Sequence, residues 1–242
     1  MTFHTPTQQK IEIRMTDSAT RTIALAGQPN MGKSTLFNLL TGLNQHVGNW
    51  PGKTVEQRQG SFQFAGHAYQ LVDLPGTYSL TANSPEEVIA REYILREKPD
   101  LVVAVVSAAN LERSLYLVSE LICLPVPMVV ALNMIDVAEQ EGVQVDAAVL
   151  QAALGVPVVP MVATKADGVK DLLNEVELVF QGKRILMPRL PEVHDEHRLV
   201  IDQVSDLIRP SVPAIYPVEW AATKLLEGDV EMTAQMKSGF FW

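Results

Sequence analysis

The chain of 242 residues lacks the features that define several protein classes. Its single cysteine, Cys123, rules out an internal disulfide, and the apolar residues around it predict a buried, unreactive thiol. Cations are scarce, with 19 Lys and Arg against 28 Asp and Glu, and the net charge of −9 argues against nucleic acid as a partner. No apolar run approaches the roughly 20 residues of a membrane-spanning helix, and the N-terminus has no apolar signal-peptide core. We therefore expect a soluble chain.

The pattern that is present alternates short apolar runs with helical periodicity. The apolar runs at 23–26, 101–106, 128–132 and 156–162 predict buried parallel strands, and residues 61–72 predict a hairpin. Helices are predicted between the strands at about 35–41, 85–97, 111–123, 146–153 and 168–180. Alternating strands and helices predict an α/β fold with a mostly parallel sheet, in which ligands bind at the carboxyl ends of the strands.

The organisation along the chain predicts three segments. Residues 1–20 are polar and mixed and are interpreted as a flexible extension. Residues 21–182 carry the α/β pattern. The proline-containing stretch near 187–191 then predicts a linker, and helical patterns at about 195–209, 218–227 and 229–237 predict a small helical subdomain within 183–242.

The strongest motif is a phosphate-binding loop. Gly27, Gln28, Pro29, Asn30, Met31, Gly32, Lys33 and Ser34 fit G-x-x-x-x-G-K-[ST], after an apolar strand and before a helix that continues with Thr35. The glycines let backbone N–H groups turn toward phosphates, Lys33 supplies a cation for the β and γ phosphates, and Ser34 supplies a hydroxyl for Mg²⁺. The motif predicts binding of a nucleoside triphosphate with Mg²⁺ but does not choose the base.

A second motif indicates guanine. Asn133-Met134-Ile135-Asp136 follows a predicted strand and resembles the N-K-x-D motif of small GTPases. In those proteins the Asp accepts two hydrogen bonds from guanine, and adenine would leave that carboxylate unpaired. Met134 replaces the usual Lys, and its thioether can still pack on the purine ring. Taken alone, N-x-x-D is a weak signal, and a loop cap is the default interpretation.

Three further segments complete the pattern of a GTPase. Asp73-Leu74-Pro75-Gly76 matches D-x-x-G, in which the Asp holds Mg²⁺ through water and the Gly N–H meets the γ-phosphate. Thr54 matches the switch threonine that ligates Mg²⁺ when the γ-phosphate is present, with a strand-start threonine as the alternative. Ala163-Thr164-Lys165 resembles the fifth GTPase motif, with the Ala163 N–H facing the guanine oxygen.

Longer stretches resemble the ferrous iron transport protein B family over roughly residues 21–230. The resemblance implies a P-loop GTPase fold whose helical part slows GDP dissociation. It also implies a partner, the membrane domain of a bacterial Fe²⁺ transporter, at the cytoplasmic face of the inner membrane, and it leaves a homo-oligomer conceivable. The matching stretches are Val47–Glu56, Asp73–Leu80, Ser84–Tyr93, Asn110–Leu117, Ala131–Asp136 and Trp220–Asp229.

The catalytic prediction rests on Lys33, Thr54, Gly76 and Asn30. Thr77 follows Gly76 where Ras-like proteins have a water-orienting Gln, so slow intrinsic GTP hydrolysis is expected, with the water held mainly by backbone groups. In potassium-activated GTPases, this family included, an Asn at the position of Asn30 helps to hold K⁺ against the phosphates. The alternative is that Asn30 only stabilises its own loop.

Other assignments remain open at this stage. A free-standing GTPase of ribosome assembly or tRNA modification is the main alternative, although the acidic C-terminal part lacks an RNA-binding pattern. A nucleotide-gated switch without useful turnover is another. His194 and His197 are interpreted as a solvated helix start rather than an iron site, and Trp50 either flanks the nucleotide or packs its loop. Ser84 and Glu87 predict a capping box.

Overall fold

A seven-stranded sheet forms the centre of the computed structural model, which describes residues 20–238. The strand order is β2-β3-β4-β1-β5-β6-β7; the β1/β4, β1/β5, β5/β6 and β6/β7 pairs are parallel, whereas β2 and β3 form an antiparallel margin. The predicted α/β class with a mostly parallel sheet is confirmed. The strands are β1 Thr20–Gly27, β2 Gln45–Asn49, β3 Glu56–Phe64, β4 His67–Asp73, β5 Leu101–Ser107, β6 Met128–Asn133 and β7 Val158–Pro160.

Nine α-helices surround and extend the sheet within the described residues. They are α1 Lys33–Thr41, α2 Pro85–Glu92, α3 Leu111–Ile122, α4 Ile135–Gln140, α5 Ala147–Leu154, α6 Val169–Phe180, α7 Asp195–Ile208, α8 Val218–Leu226 and α9 Val230–Ser238. The predicted helix at 85–97 is α2 continued by a π-helical turn, Tyr93–Glu97. Between residues 20 and 238, none of the helices has both the length and the apolar character needed to cross a membrane.

Two apolar cores cover the two faces of the sheet. Helices α1 and α6 pack on one face through residues such as Leu36, Phe37 and Leu172. On the other face, α2 and α3 pack on the strands, and their core continues into the C-terminal helices through Ile201 and Trp220. Because strands β1, β5 and β6 are covered on both sides, they read as continuous apolar runs in the sequence. The C-terminal helices α7 to α9 are present as predicted, and they share the core of the sheet.

The structure departs from the predicted elements in three places, each with a local reason. Strand β2 was not predicted, because its residues 45–49 form a short, polar edge without apolar alternation. Helix α4 was not predicted either, because it has only six residues. Strand β7 is shorter than the predicted run 156–162, which contains Pro157 and Pro160, and proline cannot donate to a strand ladder.

The sequence predicts a capping box at Ser84 and Glu87, an unreactive thiol at Cys123 and an N-terminal extension. Ser84 caps α2 by accepting from the Glu87 N–H at 3.3 Å, but the Glu87 carboxylate returns to the Asn83 N–H and the Ser79 hydroxyl instead of the Ser84 N–H. Cys123 is half-buried, and burial raises the pKa of its thiol to about 11, which agrees with an unreactive group. The predicted extension lies outside the described residues except for Thr20, which begins β1.

Gly155, at the end of α5, allows a close backbone approach. Its φ is +72°, and the linker after α6 lies against it, with the Met187 N–H donating to the Gly155 carbonyl at 3.0 Å. A Cβ on Gly155 would lie 1.8 Å from the Met187 carbonyl oxygen, a backbone atom that cannot rotate away. Gly142 has a similar φ of +74°, but a Cβ there would meet nothing within 4 Å.

The Gly155→Ala substitution is therefore expected to lower the free energy of unfolding by about 3 kcal/mol, combining left-handed strain with displacement of the linker. Gly142→Ala carries only the conformational term, about 1 kcal/mol. Urea unfolding of both variants measures the difference. Equal losses at the two sites would contradict the close approach seen between α5 and the linker.

Candidate nucleotide site

The loop between β1 and α1 turns through two left-handed residues. Asn30 has φ +65° and Gly32 has φ +86°, and α1 begins at the next residue, Lys33. Asn tolerates this conformation better than most residues because its short polar side chain can bond locally. The Asn30 side chain is exposed, whereas Gln28 beside it is buried. The loop therefore leads directly into the N-terminus of α1, a feature that suits an anion.

Lys33 and Asp73 form a buried ion pair at the centre of the site. The Lys33 ammonium donates to the Asp73 carboxylate and, at 2.6 Å, to the Leu74 carbonyl. Asp73 lies at the carboxyl end of β4, level with Leu25 of the parallel neighbour β1. Burial raises the pKa of Asp73, and the Lys33 cation opposes that rise. An incoming phosphate must compete with Asp73 for Lys33, while a divalent cation on Asp73 would compensate for the loss.

The segment after Asp73 lies directly against the phosphate loop. A Cβ on Gly76 would meet the backbone N of Pro29 at 3.1 Å and its Cα at 3.2 Å. The Thr77 N–H donates to the Gly27 carbonyl at 3.2 Å, and the Thr77 side chain is buried. The D-x-x-G segment and the phosphate loop are therefore packed against each other through the backbone of residues 76–77.

The Asn133 side chain joins the phosphate loop to the loop after β7. Its amide N–H donates to the Met31 carbonyl at 2.9 Å, and its amide oxygen accepts from the Ala163 N–H at 2.9 Å. The amide crosses Gly32 so closely that a Cβ there would lie 2.1 Å from Nδ2. Asn133 is buried, so neither bond can be replaced by water without rearrangement. The first Asn of N-x-x-D is thus a brace within the protein.

Asp136 stands at the rim of the site with its carboxylate bound by a lysine. Lys165 donates to Oδ2 at 2.7 Å, and the Val137 N–H donates to Oδ1 at 3.0 Å. The Lys165 hydrogen bond is the main cause of a lowered pKa of Asp136. Met134 precedes α4 with φ +62°, an uncommon conformation for a long side chain. The carboxylate therefore stays ionised at neutral pH beside a half-exposed thioether.

Ala163 and Thr164 fall in a 3₁₀ turn, Ala163–Lys165, after β7. The Ala163 N–H, which the sequence pattern assigned to the guanine oxygen, donates instead to Asn133 within the protein. The next N–H along this turn belongs to Thr164, whose side chain is exposed. The structure therefore keeps both residues at the site but gives Ala163 an internal hydrogen bond.

The loop between β2 and β3 contains Thr54 and Trp50. It is closed on itself, with the Trp50 N–H donating to the Val55 carbonyl at 3.0 Å. Trp50 is buried and meets the Tyr93 ring edge-on at 5.4 Å, so it packs the loop. Thr54 is exposed, and among residues 20–238 no hydrogen bond joins its side chain to Ser34 or Asp73. Ser34 follows Lys33 at the start of α1, and its side chain is exposed like that of Thr54.

Carboxylates hold the segment after Thr77, a feature that sequence reasoning missed. The Leu80 N–H donates to Glu120 of α3 at 2.6 Å, and the Ala82 N–H donates to Asp229 between α8 and α9 at 2.8 Å. Between them, the Thr81 hydroxyl accepts from buried Lys224 of α8 at 3.0 Å. In the sequence, residues 220–224 stand out only as part of a stretch that resembles the family, because no local pattern reveals contacts across more than a hundred residues. A movement of residues 80–82 would therefore disturb their hydrogen bonds to Lys224 of α8 and to Asp229.

His194 and His197 lie at the exposed start of α7, with ring centroids 6.1 Å apart. Within the described part of the chain, no group of three or more His, Cys, Asp or Glu is placed to hold a metal ion. Both imidazoles are exposed to solvent.

Replacement of Lys165 by Ala is expected to raise the pKa of Asp136 toward the ordinary range for Asp. The stabilising pair with Lys165 is present above the ordinary pKa and is lost as pH falls through the lowered pKa, so the variant loses this pH dependence. Carboxyl ¹³C NMR titration of Asp136 measures the midpoint. Lys170→Ala, an exposed lysine on α6, is the matched control. An unchanged midpoint in Lys165→Ala would contradict the assigned cause.

Comparison with known proteins gives consistent matches. Residues 21–176 match the family model described as Ferrous iron transport protein B. The Fe(2+) transporter FeoB of Escherichia coli (strain K12) is 42% identical over 216 residues, which cover 86% of this chain and 27% of that protein. The corresponding transporter of Salmonella typhimurium is 43% identical over 222 residues, with the same coverage. The chain thus spans about a quarter of the length of these curated relatives.

Solved structures agree with the sequence matches. The cytosolic domain of L. pneumophila FeoB superimposes with a TM-score of 0.81 at 35% identity, covering 90% of this chain and 86% of that one. The cytosolic domain of the T. maritima FeoB iron transporter in its GMPPNP form gives a TM-score of 0.82 at 34% identity, covering 92% and 87%. A GDP form of the same domain gives 0.83 at 35% identity, with the same coverage.

Proposed function

The chain belongs to the ferrous iron transport protein B family, and from this premise we propose that it is the GTP-binding and GTP-hydrolysing module of a ferrous iron transporter. The observation that carries the proposal is the convergence of three motifs at one edge of the sheet. The phosphate loop follows β1, Asp73 ends β4, and Asn133 ends β6, and hydrogen bonds connect the phosphate loop to the other two. Relatives solved in GDP and GMPPNP forms support a guanine nucleotide as the ligand.

The phosphates would lie in the turn of Gly27, Gln28, Pro29, Asn30, Met31 and Gly32, followed by Lys33, Ser34 and Thr35. Phosphate oxygens would take over the Lys33 ammonium, which now donates to Asp73. The buried Asp73 carboxylate and the hydroxyl of Ser34, which follows Lys33 in the chain, are hard oxygen donors that fit Mg²⁺. The metal would neutralise charge on the β and γ phosphates. Thr54 is proposed to join this set when its loop turns inward.

Hydrolysis would depend on backbone groups. The Gly76 N–H is proposed to meet the γ-phosphate, and the backbone at residues 76–77 and at Thr54 would orient the attacking water. Thr77 cannot act as the water-orienting side chain in the observed arrangement, because it is buried under the phosphate loop. Slow intrinsic turnover follows, since positioning and electrostatics must supply the rate without a glutamine.

Guanine would be selected by the Asp136 carboxylate, which can accept from both N–H donors of that base. Met134 would pack on the ring. The Thr164 N–H is proposed to donate to the guanine oxygen, since Ala163 already donates to Asn133. Asn133 would hold the phosphate loop and the loop after β7 at a fixed separation. Adenine would leave the charged carboxylate unpaired, which is the costly case in recognition.

The remaining proposals concern the rest of the transporter. We propose that residues 21–182 form the G domain and that 183–242 form a helical subdomain, which leads toward a membrane domain at the cytoplasmic face of the inner membrane and slows GDP release. A homo-oligomer is compatible with this proposal, and nucleic acid is not a proposed partner. The relatives reported above give no support to a free-standing GTPase of ribosome assembly or tRNA modification. Hydrophobic spans encoded after residue 242 would support the transporter assignment, and their absence would contradict it.

Selectivity for guanine tests the proposed function directly. The chain is expected to bind and hydrolyse GTP in preference to ATP in the presence of Mg²⁺. Asp136→Asn is expected to lower the affinity for GDP by about 10- to 100-fold, because a hydrogen bond to a charged group contributes roughly 1.5–3 kcal/mol. Glu139→Gln, an exposed acid on the same helix, is the control. Fluorescent-nucleotide titration and phosphate release measure both properties, and equal use of ATP and GTP would sink the assignment.

The cation requirement tests the role proposed for Asn30, whose exposed amide could hold K⁺ against the phosphates in place of an arginine. GTP hydrolysis is expected to be at least tenfold faster in K⁺ than in Na⁺, an effect of the size a transition-state cation supplies. Asn30→Ala should remove the difference while leaving GDP binding largely intact. Equal rates in the two cations for the unaltered chain would reject the K⁺ role and favour a purely local role for Asn30.

A further inference from the structure

The first turn of α3 contacts both the phosphate loop and the segment that follows Gly76. Gln28 of the phosphate loop donates from Nε2 to the Arg113 carbonyl at 2.6 Å. Ser114 donates to the Met31 sulfur at 3.8 Å, and Ser114 is buried. Gln28 is 2% exposed, so the donor side of its bond to the Arg113 backbone is buried. These bonds hold the backbone of residue 113 in a fixed position relative to the phosphate loop.

From that fixed backbone, the Arg113 side chain reaches the segment that follows Gly76. Its guanidinium lies over the Tyr78 ring, with Cζ 4.4 Å from the centroid. Tyr78 is 43% exposed, whereas its neighbour Thr77 is only 3% exposed and bonds to Gly27. Residues 77 and 78 are therefore restrained twice, by a backbone hydrogen bond on one side and by a cation–π contact on the other.

We propose that Arg113 is a positioning residue for GTP hydrolysis, acting through the Tyr78 ring on the backbone of residues 76–77. The inference rests on the proposed function, in which this backbone orients the attacking water. With no glutamine after Gly76, the water depends on how well these backbone groups are held, and a small misplacement is costly. Arg113 is the first-turn residue of α3 that touches both the phosphate loop, through its carbonyl, and the segment after Gly76, through its guanidinium.

The contact with Tyr78 indicates that Arg113 positions other groups and does not itself act on the phosphates. The guanidinium is engaged on the face of Tyr78, so it acts on the ring and its effect must pass through residue 78. The pair lies at the surface, where a cation–π contact contributes little to global stability. Its loss should therefore change the rate of the chemical step much more than it changes folding or the binding of GDP, which needs no attacking water.

The test is a double-mutant cycle on single-turnover GTP hydrolysis, with Arg113→Ala, Tyr78→Ala and the double variant. Each single change is expected to slow hydrolysis about two- to fivefold, the effect of a surface cation–π contact. The double variant should be no slower than either single variant, because both remove the same contact. GDP affinity and the melting temperature should stay near those of the unaltered chain. Tyr78→Phe keeps the ring and should restore the rate that Tyr78→Ala loses.

Arg209→Ala is the matched control, since Arg209 is an exposed arginine directly after α7 that pairs with Asp206. Three results would overturn the inference: unchanged hydrolysis in Arg113→Ala, additive losses in the double variant, or a slow Arg113→Ala beside an unaffected Tyr78→Ala. The last would mean that the guanidinium acts without the ring. An unaltered chain that binds GTP without hydrolysing it would contradict the proposed function itself, so the two failures are distinguishable.

Discussion

The buried amide of Asn133 is the interaction on which the arrangement of the site depends. One planar group at the end of β6 donates to the phosphate loop and accepts from the loop after β7, so three loops from separate strands share a single fixed point. Both bonds are shielded, and losing either partner would leave a buried polar group unsatisfied. Gly32 has no side chain where this amide passes, so Asn133 requires a glycine at the second glycine position of the phosphate loop.

The acidic character of the chain is used in its interior as well as on its surface. Glu120 and Asp229 accept from backbone N–H groups of residues 80 and 82, and the fully buried Arg91 pairs with Asp229 at 2.8 Å. Lys224 supplies the second buried cation and donates to both Glu120 and Glu227. Each charge in this group has an opposite partner, which is the condition under which buried charges are tolerated. The segment after the D-x-x-G motif is thereby attached to helices far away in sequence.

Much of the fold could be predicted because its elements carry local signals. The β5 strand is apolar from Leu101 to Val106, α2 begins at Pro85 with Ser84 as its N-cap, and the phosphate loop has its own spacing. Strand β2 carried no such signal, since its polar residues pair only through the backbone with β3. For the proposed site, the sequence predicts residues but not the hydrogen bonds among them. The Ala163 N–H donates to Asn133, and the Lys33 ammonium donates to Asp73. Both hydrogen bonds depend on distances between loops that no local sequence pattern encodes.

The shared core under α7 and α8 has a consequence for exchanging parts between related proteins. Ile201 and Trp220 belong to the same apolar cluster as Leu117 and Leu121 of α3, and the Lys224 ammonium lies between α3 and the segment after Thr77. A helical segment grafted from a relative would have to bring matching partners for Glu120 and for the apolar face of α3. A chimera joined at the linker would otherwise expose apolar surface and strand a buried carboxylate. The linker near 187–191 is therefore a boundary in the sequence but not a boundary in the packing of the core.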